Sequence, residues 1–155
     1  GKSLVEESML PEAEKLLENP KIVVPHLVIV SDNPDKPGRL TSIDSIEKNE
    51  AIFDVSPESF ADLEAILKNA GTILWNGPLG FFEKENFDKG TIKIAKMICA
   101  SKGFSVAGGG DTIAAAQKAG VLDKLDYVST AGGAFLEFME GKKLPGVEAL
   151  INKVN

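Results

Sequence analysis

Apolar and polar positions along the 155 residues predict an alternation of strands and helices. The run at 22–30 is continuously apolar and β-branched, which is typical of a strand covered on both faces, and Pro25 should kink it or confine it to a sheet edge. A compact apolar strand is predicted at 72–76, where the chain then enters a glycine-rich turn. Shorter strands are predicted at 40–43, 51–55, 104–107 and 127–129.

Helices are predicted between these strands, where apolar residues recur at every third or fourth position. Ser56 and Pro57 provide an N-cap and a proline at the first helical position, and Gly71 ends the helix that follows. The predicted helices lie at about 11–19, 57–70, 87–101, 111–119 and 134–140, with a last helix or turn at 146–154.

Strand, loop and helix alternate at least three times, which is typical of a parallel sheet with helices on both faces. The predicted fold is therefore α/β, in a Rossmann-like three-layer arrangement. Ligands of such sheets bind beyond the carboxyl ends of the strands, and three of those ends carry glycine-rich sequence, at 76–80, 108–110 and 131–133. Their recurrence at one sheet edge favours a binding site over three unrelated turns.

The most informative segment joins the β-prone run at 104–107 to three glycines at 108–110, then to Asp111, Thr112 and an alanine-rich helix. Glycines let the backbone approach a ligand closely, and the free N–H groups at a helix N-terminus bind anions. Asp111 would repel a phosphate unless a cation lay between them, and Mg²⁺ takes one or two carboxylates together with phosphate oxygens. The segment therefore predicts a Mg-nucleotide site. By itself it is also compatible with a plain capped turn, and no lysine follows the glycines as in a Walker A loop.

Composition limits the class of protein. Hydrophobic residues make up 43% of the chain and charged residues 26%, as in an ordinary globular domain. The net charge of -6 argues against nucleic acid as a partner, and no apolar run approaches the roughly 20 residues of a membrane span. Cys99 is the only cysteine, so an intrachain disulfide is excluded and a reducing, cytoplasmic setting is expected. The first residue is Gly1 rather than Met, which suggests a processed or truncated chain.

Four segments of the chain resemble phosphoglycerate kinase. They are WNGPLGFFE at 75–83, GGGDT at 108–112, STAGGA at 129–134 and EGKKLPGV at 140–147. The segments at 1–7 and 54–59 are similar to the same family. Because the four blocks follow the family order over most of the chain, the likeness is far more specific than any single glycine loop.

The resemblance implies a two-domain monomeric enzyme that transfers a phosphoryl group between 1,3-bisphosphoglycerate and Mg-ADP, giving 3-phosphoglycerate and ATP. Such an enzyme is a glycolytic phosphotransferase with a carboxyl group as acceptor. Residues 1–155 match the later part of its C-terminal nucleotide-binding domain, and the N-terminal glycerate-binding domain is expected to be absent. Phosphoryl transfer depends on cations that this part lacks, so we expect the chain by itself to be inactive, although it could still bind nucleotide weakly. Missing strands would leave a sheet edge through which the chain could self-associate.

The resemblance also assigns roles to residues at matching positions. The residues that would bind nucleotide are Phe53, Asn76, Pro78, Phe81, Glu83, Gly109, Gly110, Asp111 and Thr112. Within this set, the two phenylalanines would form apolar walls for adenine, and the glutamate would accept hydrogen bonds from the ribose hydroxyls. The asparagine and proline would lie along the ribose and phosphates, the glycines and threonine would present the helix N-terminus to the phosphates, and Asp111 would hold Mg²⁺. Thr130, Gly132 and Gly133 would line the catalytic region that the transferred phosphoryl group crosses.

Three residues depart from the pattern that the resemblance implies. Ala131 stands where the family has glycine, and it would be strained if the backbone there needed a positive φ. Ser56 and Ile52 also stand where glycine is common. A dinucleotide binder with a Gly-x-Gly-x-x-Gly turn is a poor alternative, because the glycines at 108–110 are contiguous. A non-enzymatic interaction module that retains only the α/β fold is an alternative that stays open.

Overall fold

The structure, a computed structural model, describes residues 1–151, so the predicted end of the last helix at 154 lies outside the described residues. The strands are β1 (Leu27–Ser31), β2 (Arg39–Ser42), β3 (Ala51–Val55), β4 (Thr72–Asn76), β5 (Phe104–Gly108) and β6 (Tyr127–Ser129). The α-helices are α1 (Leu10–Leu17), α2 (Ala61–Asn69), α3 (Lys89–Ala100), α4 (Gly110–Lys118), α5 (Gly132–Met139) and α6 (Pro145–Ile151). Short 3₁₀ helices lie at Glu7–Met9, Ile43–Ser45, Pro57–Phe60, Glu85–Phe87 and Leu122–Lys124.

A parallel sheet in the order β4-β5-β6 confirms the predicted α/β class. Its strands are in register at their carboxyl ends, where Asn76 pairs with Gly108 and Gly108 pairs with Ser129. Helices α3 and α4 provide the crossovers that parallel neighbours require. The three glycine-rich segments therefore leave the sheet at one edge, as the alternating pattern predicts.

A second, antiparallel sheet in the order β2-β1-β3 was not predicted. The segment between β1 and β2, residues 32–38, is too short for a crossover helix, so these two strands pair as neighbours that run in opposite directions. Strand β1 begins at Leu27 rather than at 22, because Pro25 has no N–H to donate to a sheet. This small sheet places β3 beside the loop that follows β4, where Phe81 N–H donates to Phe53 O over 2.7 Å.

The hydrophobic core fills the space between one face of the parallel sheet and helices α2, α3 and α4. Ile73, Trp75 and Ala107 point into it from β4 and β5, and they pack with buried residues of all three helices. The opposite face is covered in part by α5, because the Phe135 ring lies directly against Gly108. Helices on both faces of the sheet give the three layers that the sequence predicts.

The second face of the parallel sheet carries exposed apolar side chains. Leu74, Phe104 and Tyr127 are 41%, 53% and 56% exposed. Strands β4 and β6 are the two outer strands of this sheet among the described residues. Helix α1 buries none of its residues, although its apolar positions are arranged along one side. None of the helices described in residues 1–151 has the length and apolar character that a membrane span requires.

Candidate functional site

The loops that follow β4 and β5 are tied together at the carboxyl edge of the parallel sheet. The Asn76 side chain donates from Nδ2 to Gly108 O over 2.9 Å. A Cβ atom added to Gly109 would lie 3.4 Å from the same amide nitrogen, so there is little free space between the two loops. Asn76 therefore holds the glycine segment against the end of β4, and the structure brings Asn76, Gly109 and the start of α4 together.

The N-terminus of α4 is open at this edge. Gly109 is the N-cap residue, with φ 93° and ψ 145°, a conformation that favours glycine, and no side chain caps the helix. The backbone N–H groups of Gly110, Asp111 and Thr112 have no hydrogen-bond acceptor within residues 1–151. Unpartnered N–H groups together with the positive end of the helix dipole attract an anion such as phosphate.

Asp111 is exposed in the first turn of α4, beside these N–H groups. Within the described part of the chain no three His, Cys, Asp or Glu side chains form a cluster that could hold a metal ion. A preformed metal cage is therefore not built from these residues. A single accessible carboxylate next to an open helix N-terminus does fit Mg²⁺, which keeps most of its ligands as water and phosphate oxygens.

The Thr112 side chain makes a contact inside the protein. It is only 1% exposed, and its Oγ1 accepts a hydrogen bond from Gly77 N–H over 2.7 Å. Gly77 has φ 98°, so the chain turns sharply there. The Thr112 hydroxyl thus attaches the loop after β4 to α4, while its backbone N–H remains at the open helix end.

A shallow cleft of about 240 Å³ lies between β3 and the loop after β4. Its lining is Ile52, Phe53, Pro78, Leu79, Gly80 and Phe81. The two phenylalanine rings have centroids 6.3 Å apart and an interplanar angle of 29°. A flat base inserted between two rings needs about 7 Å between their planes, because aromatic carbons approach to about 3.5 Å. A base would therefore lie against this apolar lining rather than between the two rings.

The remaining predicted residues lie at the surface. Glu83 is exposed, and its side chain makes no hydrogen bond within the described residues. Thr130 is exposed directly after β6, and Gly132 and Gly133 form the open first turn of α5. Ala131 has φ −84°, so the strain that a positive φ would have caused is absent. The contacts described above join none of these four predicted residues to the cleft, and their roles stay predictions.

Two buried polar residues beside the cleft were not predicted. Asp54 is 1% exposed, and burial raises the pKa of its carboxyl to about 6 despite hydrogen bonds from Gly90 N–H and Val55 N–H. Thr91, also 1% exposed, accepts hydrogen bonds from two consecutive N–H groups of the loop after β4. A charged residue inside the apolar run at 51–55 was the one sequence signal available, whereas nothing local distinguishes Thr91 from another helix residue.

Known proteins match both the sequence and the fold of this chain. Residues 1–142 match the family model of phosphoglycerate kinase. The structure of phosphoglycerate kinase from Coxiella burnetii is 44% identical with a TM-score of 0.89, over 96% of this chain and 40% of that one. Phosphoglycerate kinase from Pyrococcus horikoshii OT3 is 34% identical with a TM-score of 0.79, over 92% of this chain and 36% of that one.

The chain thus spans 40% or less of the length of these two solved structures. The family model nevertheless covers residues 1–142. The two solved structures are 44% and 34% identical to this chain, which is enough to indicate a shared family as well as a shared fold. The resemblance drawn from the four sequence blocks is therefore confirmed: the chain belongs to the phosphoglycerate kinase family.

Proposed function

We propose that the chain forms part of the Mg-nucleotide site of a phosphoglycerate kinase. The reaction of the whole enzyme would be phosphoryl transfer between 1,3-bisphosphoglycerate and Mg-ADP, giving 3-phosphoglycerate and ATP. The observation that carries the proposal is the hydrogen bond between Gly77 N–H and Thr112 Oγ1. This bond joins the loop that lines the apolar cleft to the start of α4, which supports a base in the cleft and phosphates at the open helix N-terminus.

The base would lie on the apolar lining that Phe53, Pro78 and Phe81 provide. Glu83, two residues further along the chain, would accept hydrogen bonds from the ribose hydroxyls. Asn76 would lie along the ribose and phosphates, and its contact with Gly108 would bring the phosphates to the start of α4. The phosphates would accept hydrogen bonds from the backbone N–H groups at 110–112, with Gly109 allowing close approach.

Asp111 would hold Mg²⁺ together with phosphate oxygens and water. The bound ion would neutralise charge on the phosphates, since phosphoryl transfer is catalysed mainly by positioning and electrostatic stabilisation. The exposed Thr130, Gly132 and Gly133 would line the path of the transferred group at the start of α5. Residues of this chain therefore bind and orient the nucleotide rather than take part in covalent chemistry.

The glycerate substrate would bind to a part of the enzyme outside this chain, consistent with the 40% of the Coxiella burnetii structure that the chain spans. We infer that residues 1–155 are part of the nucleotide-binding domain. By themselves they would not transfer phosphate, because the cations that stabilise the transferred group would come from elsewhere. A coupled assay of ATP formation from 1,3-bisphosphoglycerate should detect no turnover by the chain alone, and measurable turnover would overturn this inference.

Calorimetric titration with ADP, with and without Mg²⁺, tests the nucleotide site. Binding should depend on Mg²⁺, and Asp111→Ala should weaken it by about tenfold or more, the loss expected for a charged interaction of about 1.4 kcal/mol. Asp123→Ala is the matched control, because Asp123 is also an exposed aspartate but lies beyond the C-terminal end of α4, in the 3₁₀ helix Leu122–Lys124. Equal affinities of the chain and both variants would contradict the metal role of Asp111.

A non-enzymatic interaction module is the second candidate. The exposed apolar residues Leu74, Phe104 and Tyr127 on the second face of the parallel sheet favour it, because such a face suits a protein contact. The outer strand β4 could also pair with another chain, which would make the chain self-associate. This function requires no Mg²⁺-dependent binding of ADP by the folded chain, so the same titration separates the two candidates.

A further inference from the structure

The loop that forms one side of the cleft has all of its backbone N–H groups bound within the protein. Gly77 N–H donates to Thr112, and Pro78 has no N–H. Leu79 N–H and Gly80 N–H donate to Thr91 Oγ1 over 3.1 and 3.3 Å. The next N–H along the chain, that of Phe81, donates to Phe53 O. Residues 77–81 are therefore held in one conformation by neighbours outside the loop.

Asp54 fills the space behind this loop. Its Oδ1 accepts from Val55 N–H over 2.9 Å, and its Oδ2 accepts from Gly90 N–H over 2.8 Å. A Cβ added to Gly80 would lie 2.3 Å from Oδ1, and one added to Gly90 would lie 2.5 Å from it. The carboxylate thus separates three backbones: strand β3, the loop and the start of α3. Asp54 directly follows Phe53, so the strand segment that carries the Phe53 ring is the one that the carboxylate packs against the loop.

The charge on Asp54 is costly to bury. No cation pairs with it among the described residues: the nearby Lys118 instead contacts Asp88 over 2.9 Å and donates to Phe82 O. Asp88 itself acts on Asp54 as a like charge. Apolar residues of similar volume usually stabilise a fold better than a buried carboxylate that has no cation partner. The Asp54 carboxylate is therefore better explained by its effect on the geometry of the loop at 77–81 than by a contribution to stability.

We propose that Thr91 and Asp54 are positioning residues of the nucleotide cleft. Thr91 holds the N–H groups of Leu79 and Gly80, and Asp54 supports the same loop from behind, so that together they fix the distance between Phe81 and Phe53. Neither side chain lines the cleft, and both act through the backbone. The inference rests on the proposed nucleotide function and extends it to the residues that shape the base site.

The test compares ADP with inorganic pyrophosphate, both with Mg²⁺, because only ADP carries a base. Thr91→Val keeps the shape of the side chain but removes the acceptor for two N–H groups. It should raise the Kd for ADP by about tenfold, because the released loop no longer holds Phe81 in place, and leave the Kd for pyrophosphate unchanged. Thr91→Ser retains the hydroxyl and should restore ADP affinity. Thr72→Val at the exposed start of β4 is the matched control and should alter neither affinity.

Equal weakening of ADP and pyrophosphate by Thr91→Val would overturn the positioning role, because a general loss of folding acts on both ligands. The positioning role would also be overturned if the unaltered chain bound pyrophosphate but not ADP, because there would then be no base site to position. If the unaltered chain binds neither ligand, the proposed function fails, and NMR still tests the positioning role. Nuclear Overhauser contacts between the rings of Phe53 and Phe81 should then weaken in Thr91→Val. Unchanged ring contacts and unchanged amide shifts of Leu79 and Gly80 would refute it.

Discussion

Replacing Asp54 by asparagine should remove one component of the pH dependence of stability. Burial raises the pKa of the Asp54 carboxyl from 3.8 to about 6, and the charge of Asp88 adds to the increase. The folded chain therefore holds this proton at a pH where the unfolded chain has released it. By linkage, the contribution of Asp54 to stability is fully present below the unfolded pKa and is lost as the pH rises through the folded pKa.

The difference between 3.8 and about 6 sets the size of the effect. At about 1.4 kcal/mol per unit of pKa, ionisation of the folded carboxyl costs about 3 kcal/mol in total. About 2 kcal/mol of this change falls between about pH 7.5 and about pH 4.5, because the unfolded carboxyl is still mostly ionised at the lower value. The asparagine variant lacks this component, although it also loses one accepted hydrogen bond at every pH.

Urea unfolding of the chain and of Asp54→Asn over this pH range measures the effect. The free energy of unfolding of the chain minus that of the variant should increase by about 2 kcal/mol on acidification, since other carboxylates cancel in the difference. Asp126→Asn is the control of opposite sign, because hydrogen bonds from Ser105 lower the pKa of Asp126. The free energy of unfolding of the chain minus that of Asp126→Asn should stay constant across the range and decrease only at more acidic pH. A difference for Asp54→Asn that stays constant or decreases on acidification would contradict a raised pKa of Asp54 in the folded chain.

Three further substitutions test the packing of the site, each measured by the free energy of unfolding. Gly80→Ala should cost about 1–3 kcal/mol, because the added Cβ would lie 2.3 Å from a buried carboxylate oxygen, whereas Gly71→Ala, with no atom within 4 Å, should cost little. Gly109→Ala should cost about 1–3 kcal/mol because of its φ of 93°, and Gly110→Ala, in open space at the first helical position, should not destabilise the chain. Thr112→Val should cost about 1–3 kcal/mol by leaving a loop N–H without its acceptor, and an unchanged stability would contradict that role.

Local signals in the sequence were sufficient for the elements and for the position of the site. Five of the six strands and the core of every helix lie where hydrophobic spacing, Ser56-Pro57 and the glycines place them. Ser56 caps its helix as predicted, with Oγ accepting from Glu58 N–H. These features depend on propensities within a few residues, which a sequence shows directly. Alternation of strand and helix was then enough to align the glycine segments at one sheet edge.

Tertiary structure alone decided what the buried polar groups do. Thr112 was expected to help present the helix N-terminus to phosphates, and the sequence did not show that its hydroxyl also accepts from an N–H 35 positions earlier in the chain. Asp54 accepts from Gly90, 36 positions later, and the antiparallel sheet that brings β3 to the cleft was also missed. Partners so distant in sequence are brought together only when the core packs. Since a buried side chain takes its partner from whatever backbone lies beside it, no local pattern specifies the choice.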